Sequence, residues 1–156
     1  MIRVLLVDDQ PLLRQGMTLV LDGEVDLQVV GEAADGVGAV EQALRLQPDV
    51  VLMDVRMPRM DGIEATRRLA EVAPRCRVLI LTTFDLDEHA FAGLRAGASG
   101  FLLKDVLPAE LAGAIRAVAR GDAVVAPALT RRLLDAYAHH LPAGRARSPP
   151  GASPVS

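Results

Sequence analysis

Val50-Val51-Leu52-Met53-Asp54, running on into Val55-Arg56-Met57-Pro58, decides the fold of this chain. Four consecutive apolar residues meet an aspartate, and a proline follows four positions later. A short apolar run closed by a charge and a proline reads as a fully buried strand handing over to a loop. In an open parallel sheet the carboxyl ends of the strands are where ligands and chemistry collect. Asp54 is thereby placed at a strand tip.

The same design recurs on both sides of that stretch. Ile2–Val7 is mostly apolar and ends at Asp8-Asp9, and Leu27–Ala33 is closed by Asp35-Gly36. Val78–Leu81 leads to Thr82-Thr83, and Phe101-Leu102-Leu103 ends at Lys104. Helical spacing fills the intervals. Pro11 opens one segment with Leu12, Leu13, Met17, Leu19, Val20 and Leu21 on its apolar face. A second runs through Val37, Val40, Ala43, Leu44 and Leu46 to Pro48, and a third through Ile63, Thr66, Leu69 and Val72 to Pro74. Asp85 is suited to cap a fourth, through Phe91 and Leu94 to about Gly97. Pro108–Ala119 carries Leu111, Ile115 and Val118 on one side and stops at Gly121-Asp122.

Five strands alternating with five helices predict an α/β, doubly wound, five-stranded parallel sheet covered on both faces. Right-handed crossovers bring every strand's carboxyl end to one edge. That edge receives Asp8, Asp9, Asp54, Thr82 and Lys104. Beyond Gly121 the pattern changes. Ala123-Val124-Val125-Ala126 is a short apolar piece, and Pro127 to about His140 reads as an extra C-terminal helix with Leu129, Leu133, Leu134 and Tyr137. Residues 1–121 are thus expected to form the main domain, 122–141 a helical extension, and 142–156 a flexible linker or tail rich in Pro, Gly, Ser, Ala and Arg.

Composition excludes several function classes. Residues 1–126 carry 19 acidic and 13 basic side chains, whereas residues 127–156 carry four arginines against Asp135. An acidic body lacks the positive footprint that duplex binding needs. The longest apolar runs are strand-sized, so no membrane association is expected. The strand pattern begins at the first residues and leaves no room for a signal peptide. The single cysteine, Cys76, cannot form an internal disulfide, which fits a reducing cytoplasm. His89, His139 and His140 show no metal-ligand spacing. Sixteen arginines accompany one lysine, Lys104, so the lysine that remains calls for an explanation.

The edge residues suggest a chemistry. Three carboxylates held together repel one another and raise each other's pKa unless a cation joins them. Oxygen-only ligands favour a hard divalent ion, and Mg²⁺ commonly keeps several waters beside one or two carboxylates. Asp8, Asp9 and Asp54 therefore form a candidate Mg²⁺ site, with the backbone carbonyl of Arg56 as a further ligand. An aspartate can be a nucleophile that forms an acyl phosphate. Phosphoryl transfer then needs charge neutralisation around the equatorial oxygens, which Mg²⁺, the Lys104 ammonium and the Thr82 hydroxyl can supply.

These residues resemble the receiver domain of two-component response regulators. The match rests on Asp8-Asp9 after the first strand and Asp54 after the third, with Pro58 and Asp61-Gly62 following, then Thr82 and Lys104, and it runs to about residue 121. The resemblance implies the flavodoxin- or CheY-like strand order 2-1-3-4-5, with Asp54 as phospho-acceptor and Asp8 and Asp9 as Mg²⁺ ligands. It implies Thr82 and Lys104 as phosphate sensors, and Phe101, three positions before the lysine, as the aromatic switch. The segment Ala96–Asp105, with Val124-Val125-Ala126-Pro127 and the Leu129–Tyr137 helix, is more similar to the NarL/LuxR-type subfamily.

That kinship implies a sensor histidine kinase as partner, homodimerisation on phosphorylation, and DNA binding through a C-terminal helix-turn-helix domain that this chain lacks. The linker-like tail favours a truncated chain over a stand-alone receiver. Arg56 and Thr83 are expected to tune access to the pocket, and Thr82 is preferred to Thr83 as the sensor for its spacing to Lys104.

Taken singly, these residues have plainer readings. Asp8-Asp9 alone reads as a helix cap, Lys104 as a solvated strand-end charge and Phe101 as a core aromatic. Their joint arrival at four strand tips favours the site. A haloacid-dehalogenase-type phosphatase usually needs a second aspartate two positions after the nucleophile, where Arg56 stands. An interaction module without the chemistry would not need the full polar set. A nucleotide-binding protein would need a glycine-rich loop after the first strand, and none follows.

Overall fold

The structure is a computed structural model and describes residues 1–82, 92–93 and 95–125. The expected Asp85 cap, Thr83, the helix over 127–140 and the tail lie outside the described residues.

The described elements follow in the order β1 (Ile2–Val7), α1 (Pro11–Asp22), β2 (Leu27–Ala33), α2 (Gly36–Leu46) and β3 (Val50–Asp54). They continue with α3 (Gly62–Val72), β4 (Arg77–Thr82), β5 (Gly100–Leu103), α4 (Pro108–Ala119) and β6 (Val124–Val125). The strands form one sheet in the order β2-β1-β3-β4-β5-β6, every neighbouring pair parallel. The expected order of the first five strands is therefore observed, but the sheet has six strands, not five. The apolar piece at Val124-Val125 pairs with Gly100 and Phe101. Two residues are too few to show a period of two, so no strand pattern is legible there.

Strand burial explains the apolar runs. All five residues of β3 are buried, as expected of a central strand covered on both faces. Alternate side chains feed two cores. Leu5, Val51, Met53, Val78, Ile80 and Phe101 pack with Ala39, Ala43, Ile63 and Leu69 of α2 and α3. Val4, Leu6, Leu52, Leu79 and Leu81 pack with Leu21 of α1 and with Leu111, Ile115 and Val118 of α4.

Helix ends obey local chemistry. Asp35 and Asp61 are N-caps of α2 and α3, accepting from the Gly38 and Glu64 amides at 2.8 Å each. Pro11 and Pro108 open α1 and α4. Gly97 (φ 109°) closes the helical turn that precedes β5, and Gly121 (φ 99°) follows α4. Among the described residues no helix is long and apolar enough to cross a membrane.

Candidate functional site

Parallel strands in this order deliver β1, β3, β4 and β5 side by side, so the residues at their carboxyl ends must meet. Carboxylate oxygens of Asp8, Asp9 and Asp54 all lie within 4.8 Å of one another. Asp8 (3% exposed) and Asp54 (6%) are buried, whereas Asp9 faces solvent. Lys104, just past β5, places its Nζ 2.9 Å from Asp54 Oδ1 and 3.3 Å from Asp8 Oδ2. The Lys104 amide also donates to the Thr82 carbonyl at 2.8 Å, which ties the β5 exit to the tip of β4. Thr82 itself is buried.

The loop after β3 is held close to the nucleophile candidate. Asp54 Oδ1 accepts from the Val55 amide at 2.9 Å, and the Gly62 amide donates to the Val55 carbonyl at 2.7 Å. A Cβ on Gly62 would stand 1.9 Å from the Asp54 carbonyl oxygen, so only glycine permits α3 to start this close to β3. Arg56 is solvent-exposed. Phe101 is fully buried in the core, paired with Ile80 of β4, and a Cβ on Gly93 would meet its ring at 2.6 Å.

The electrostatics are those of a partly compensated acidic pocket. Burial is the main force holding the Asp54 carboxyl above the usual range. Lys104 opposes that shift, and the neighbouring charge of Asp8 adds to it. Burial works to lower the Lys104 ammonium, but the carboxylates of Asp54 and Asp8 outweigh it and leave its pKa raised. Asp54 thus holds a proton more readily than a free carboxylate would.

The structure brings together Asp8, Asp9, Asp54 and Lys104, with Thr82 beside them in the sheet, and it buries Phe101 at one remove. The plainer reading of Asp8-Asp9 as caps of α1 does not hold. The cap position is Gln10, which makes no side-chain cap bond. Two contributors were not apparent in the sequence. Gln10 donates its amide to Asp8 Oδ1 at 2.9 Å, and Arg14 donates from Nη1 to the Asp8 carbonyl. Neither has a motif of its own. Each was recognisable only once α1 was set against the end of β1.

The response regulator receiver domain family matches residues 4–116. The transcriptional regulatory protein YxjL of Bacillus subtilis is 53% identical over 123 residues, covering 79% of this chain and 56% of the relative. The transcriptional regulatory protein LiaR of the same species is 40% identical over 139 residues, covering 89% and 66%. The chain therefore spans between about half and two thirds of these curated relatives. Among solved structures, a LuxR-family two-component response regulator from Aurantimonas superposes with a TM-score of 0.81 at 34% identity, covering 87% of this chain and 97% of that one. The chain belongs to the response regulator receiver domain family, and its relatives are of the LuxR/NarL type.

Proposed function

We propose that this chain is a phosphorylation-controlled signalling switch in which Asp54 accepts a phosphoryl group from a sensor histidine kinase. The observation that carries the reading is the meeting of a buried Asp54 with Asp8, Asp9 and the chain's one lysine at a single sheet edge. Asp8, Asp9, Asp54 and the Arg56 carbonyl would hold Mg²⁺. The donor set fits a hard divalent ion, being all oxygen, with a single ammonium against three carboxylates. The upward shift of Asp54 supports the fit, since a bound cation would reverse it. When bound, Mg²⁺ supplies charge neutralisation at the phosphoryl oxygens.

The chain's own residues account for the rest. An Asp54 oxygen attacks the phosphorus of phosphohistidine, the P–N bond breaks, the imidazole leaves with the electron pair, and an acyl phosphate remains. Lys104 releases part of its hold on Asp54 and pairs with the new phosphoryl oxygens. The Thr82 hydroxyl hydrogen-bonds a further oxygen, and water later hydrolyses the acyl phosphate. Beyond its own phosphorylation and dephosphorylation the domain turns over no substrate. Phe101, behind Thr82, repacks as that corner moves, shifting the face that includes β5 and α4 between two states. Arg56 and Thr83 tune access of water.

The output is a change in dimerisation that, in a full-length regulator, controls transcription through a C-terminal DNA-binding domain. The setting is the cytoplasm. Residues 1–121 form the receiver, 122–141 an extension and 142–156 a linker. The test is intact-protein mass after incubation with Mg²⁺ and acetyl phosphate. One added phosphoryl group that requires Mg²⁺ and is lost in Asp54→Asn supports the reading. A chain that neither gains mass nor binds Mg²⁺ overturns it.

A further inference from the structure

Asp8 is held at every polar atom. Its amide donates to the Ala33 carbonyl at 3.1 Å, Oδ1 accepts from the Gln10 amide at 2.9 Å, and Oδ2 lies 3.3 Å from Lys104 Nζ. Its backbone carbonyl accepts from Arg14 Nη1. The same guanidinium uses Nε to hold Glu32 Oε1 at 2.8 Å. Arg14 lies in the first turns of α1, its side chain only 17% exposed, and Glu32 is the penultimate residue of β2. One side chain therefore joins α1, the end of β1 and the end of β2. A guanidinium offers donors in a fixed planar fork, so it can hold a carbonyl and a carboxylate at a set angle, which a lysine cannot.

We infer that Arg14 is a positioning residue for the cation site, acting through the Asp8 carbonyl, with Glu32 fixing the plane of its guanidinium. The inference rests on the Mg²⁺ reading above. The Asp8 carbonyl belongs to the peptide that joins Asp8 to Asp9, so a rotation of that peptide displaces both carboxylates together. The pair is then an outer shell of the kind that orients metal ligands in other proteins. A purely electrostatic role has the opposite sign, because a nearby positive charge repels Mg²⁺ and its removal would tighten binding. A purely structural role would change the unfolding midpoint and leave the affinity of the folded protein alone.

The experiment is calorimetric Mg²⁺ titration of the full chain and of Arg14→Lys, Arg14→Met and Glu32→Gln, with urea unfolding of each in the absence of Mg²⁺. Both Arg14 variants are expected to bind Mg²⁺ about tenfold more weakly, the lower end of outer-shell effects. Glu32→Gln is expected to weaken binding in the same direction by a smaller factor. Affinities within twofold of wild type, or tighter binding by Arg14→Met, overturn the inference. If an Arg14 variant does not fold, Glu32→Gln, at a half-exposed position, decides by the same criterion. A wild-type chain that binds no Mg²⁺ overturns the underlying reading and this inference with it. A wild type that binds while its variants match it overturns the inference alone.

Discussion

Gly62→Ala tests the idea that α3 is seated against the nucleophile candidate by a contact only glycine allows. The new Cβ would fall 1.9 Å from the Asp54 carbonyl oxygen and 2.9 Å from both the Asp54 carbonyl carbon and Met53 Cγ. The first two are backbone atoms of a central strand, so no rotamer change can relieve them. Either α3 or the tip of β3 must move by more than 1 Å or so to restore an ordinary carbon–oxygen contact. Overpacking of a tight site costs about 1–3 kcal/mol. The shift also breaks or stretches the 2.7 Å bond from the Gly62 amide to the Val55 carbonyl, about 1 kcal/mol net.

The expected loss is therefore about 2–4 kcal/mol, a large part of the ~5–15 kcal/mol that holds a typical domain together. Gly113→Ala supplies the control. It lies in α4 with nothing within 4 Å of the added Cβ, and should gain about 0.5–1 kcal/mol from helix propensity. Urea unfolding with unchanged m-values reads both. Because the atoms displaced belong to Asp54, Gly62→Ala should also weaken Mg²⁺ binding, whereas Gly113→Ala should not. A Gly62→Ala protein within about 0.5 kcal/mol of wild type would refute the reasoning, since that is the scatter of an ordinary surface change.

Three further outcomes follow from the electrostatics. Asp54→Asn should stabilise the metal-free protein on the order of 1 kcal/mol, as replacing a poorly compensated buried charge often does. A raised folded-state pKa means that stability is present below the unfolded carboxylate pKa and lost as pH rises through the folded one, so the advantage of Asn should grow over that rise and then level off. An advantage that is flat across the acid range in urea titrations would contradict this. Arg116 grips Asp26 at 2.8 Å, and its hydrogen bond is the main cause holding the Asp26 carboxyl below its ordinary value. That contribution exists above the unfolded pKa and disappears as pH falls through the folded one. The stability gap between wild type and Arg116→Gln should then narrow in acid, and a gap that widens there would count against the pair. Burial, and after it the charge of Asp49, pushes the Cys76 thiol up, so Cys76 should react with a thiol reagent far more slowly in the native chain than in urea. Equal rates would show the site to be open.

What the sequence revealed, and what it hid, divides along physical lines. Strand tips were legible because an apolar run that stops at a polar residue marks both the strand and its end, and β1, β3, β4 and β5 each carry that mark. Parallel pairing then makes Asp8, Asp54, Thr82 and Lys104 neighbours by necessity. Gly62 was visible as part of an Asp-Gly pair, but its reason, the 1.9 Å approach to Asp54, is a distance between elements. The Arg14–Glu32 bond joins residues 18 apart on different elements, and neither residue type is unusual on a surface. β6 was hidden by its length. Local signals report what a residue's neighbours in sequence dictate, and these features depend on tertiary distance alone.

The lone lysine also finds its reason in the arrangement of the sheet's two edges. At the amino edge, arginines hold the structure together. Arg3 Nη1 donates to the Leu46 and Gln47 carbonyls at 2.6 and 2.9 Å, at the end of α2. Arg77 Nη1 reaches the Val118 and Ala119 carbonyls at 3.3 Å, at the end of α4. Arg116 spans Asp26 and Glu24. Cations at helix C-termini satisfy orphan carbonyls and oppose the helix dipole, and the forked guanidinium serves two acceptors at once. At the carboxyl edge the demand differs. Lys104 must bridge Asp54 and Asp8 now, and in the proposed cycle exchange part of that bridge for a phosphoryl group. A compact ammonium on a flexible stem can change partners without a preferred plane, and a guanidinium locked onto one carboxylate would resist the exchange. Arginine therefore serves where geometry must stay fixed, and lysine stands where the proposed cycle requires the partner to change.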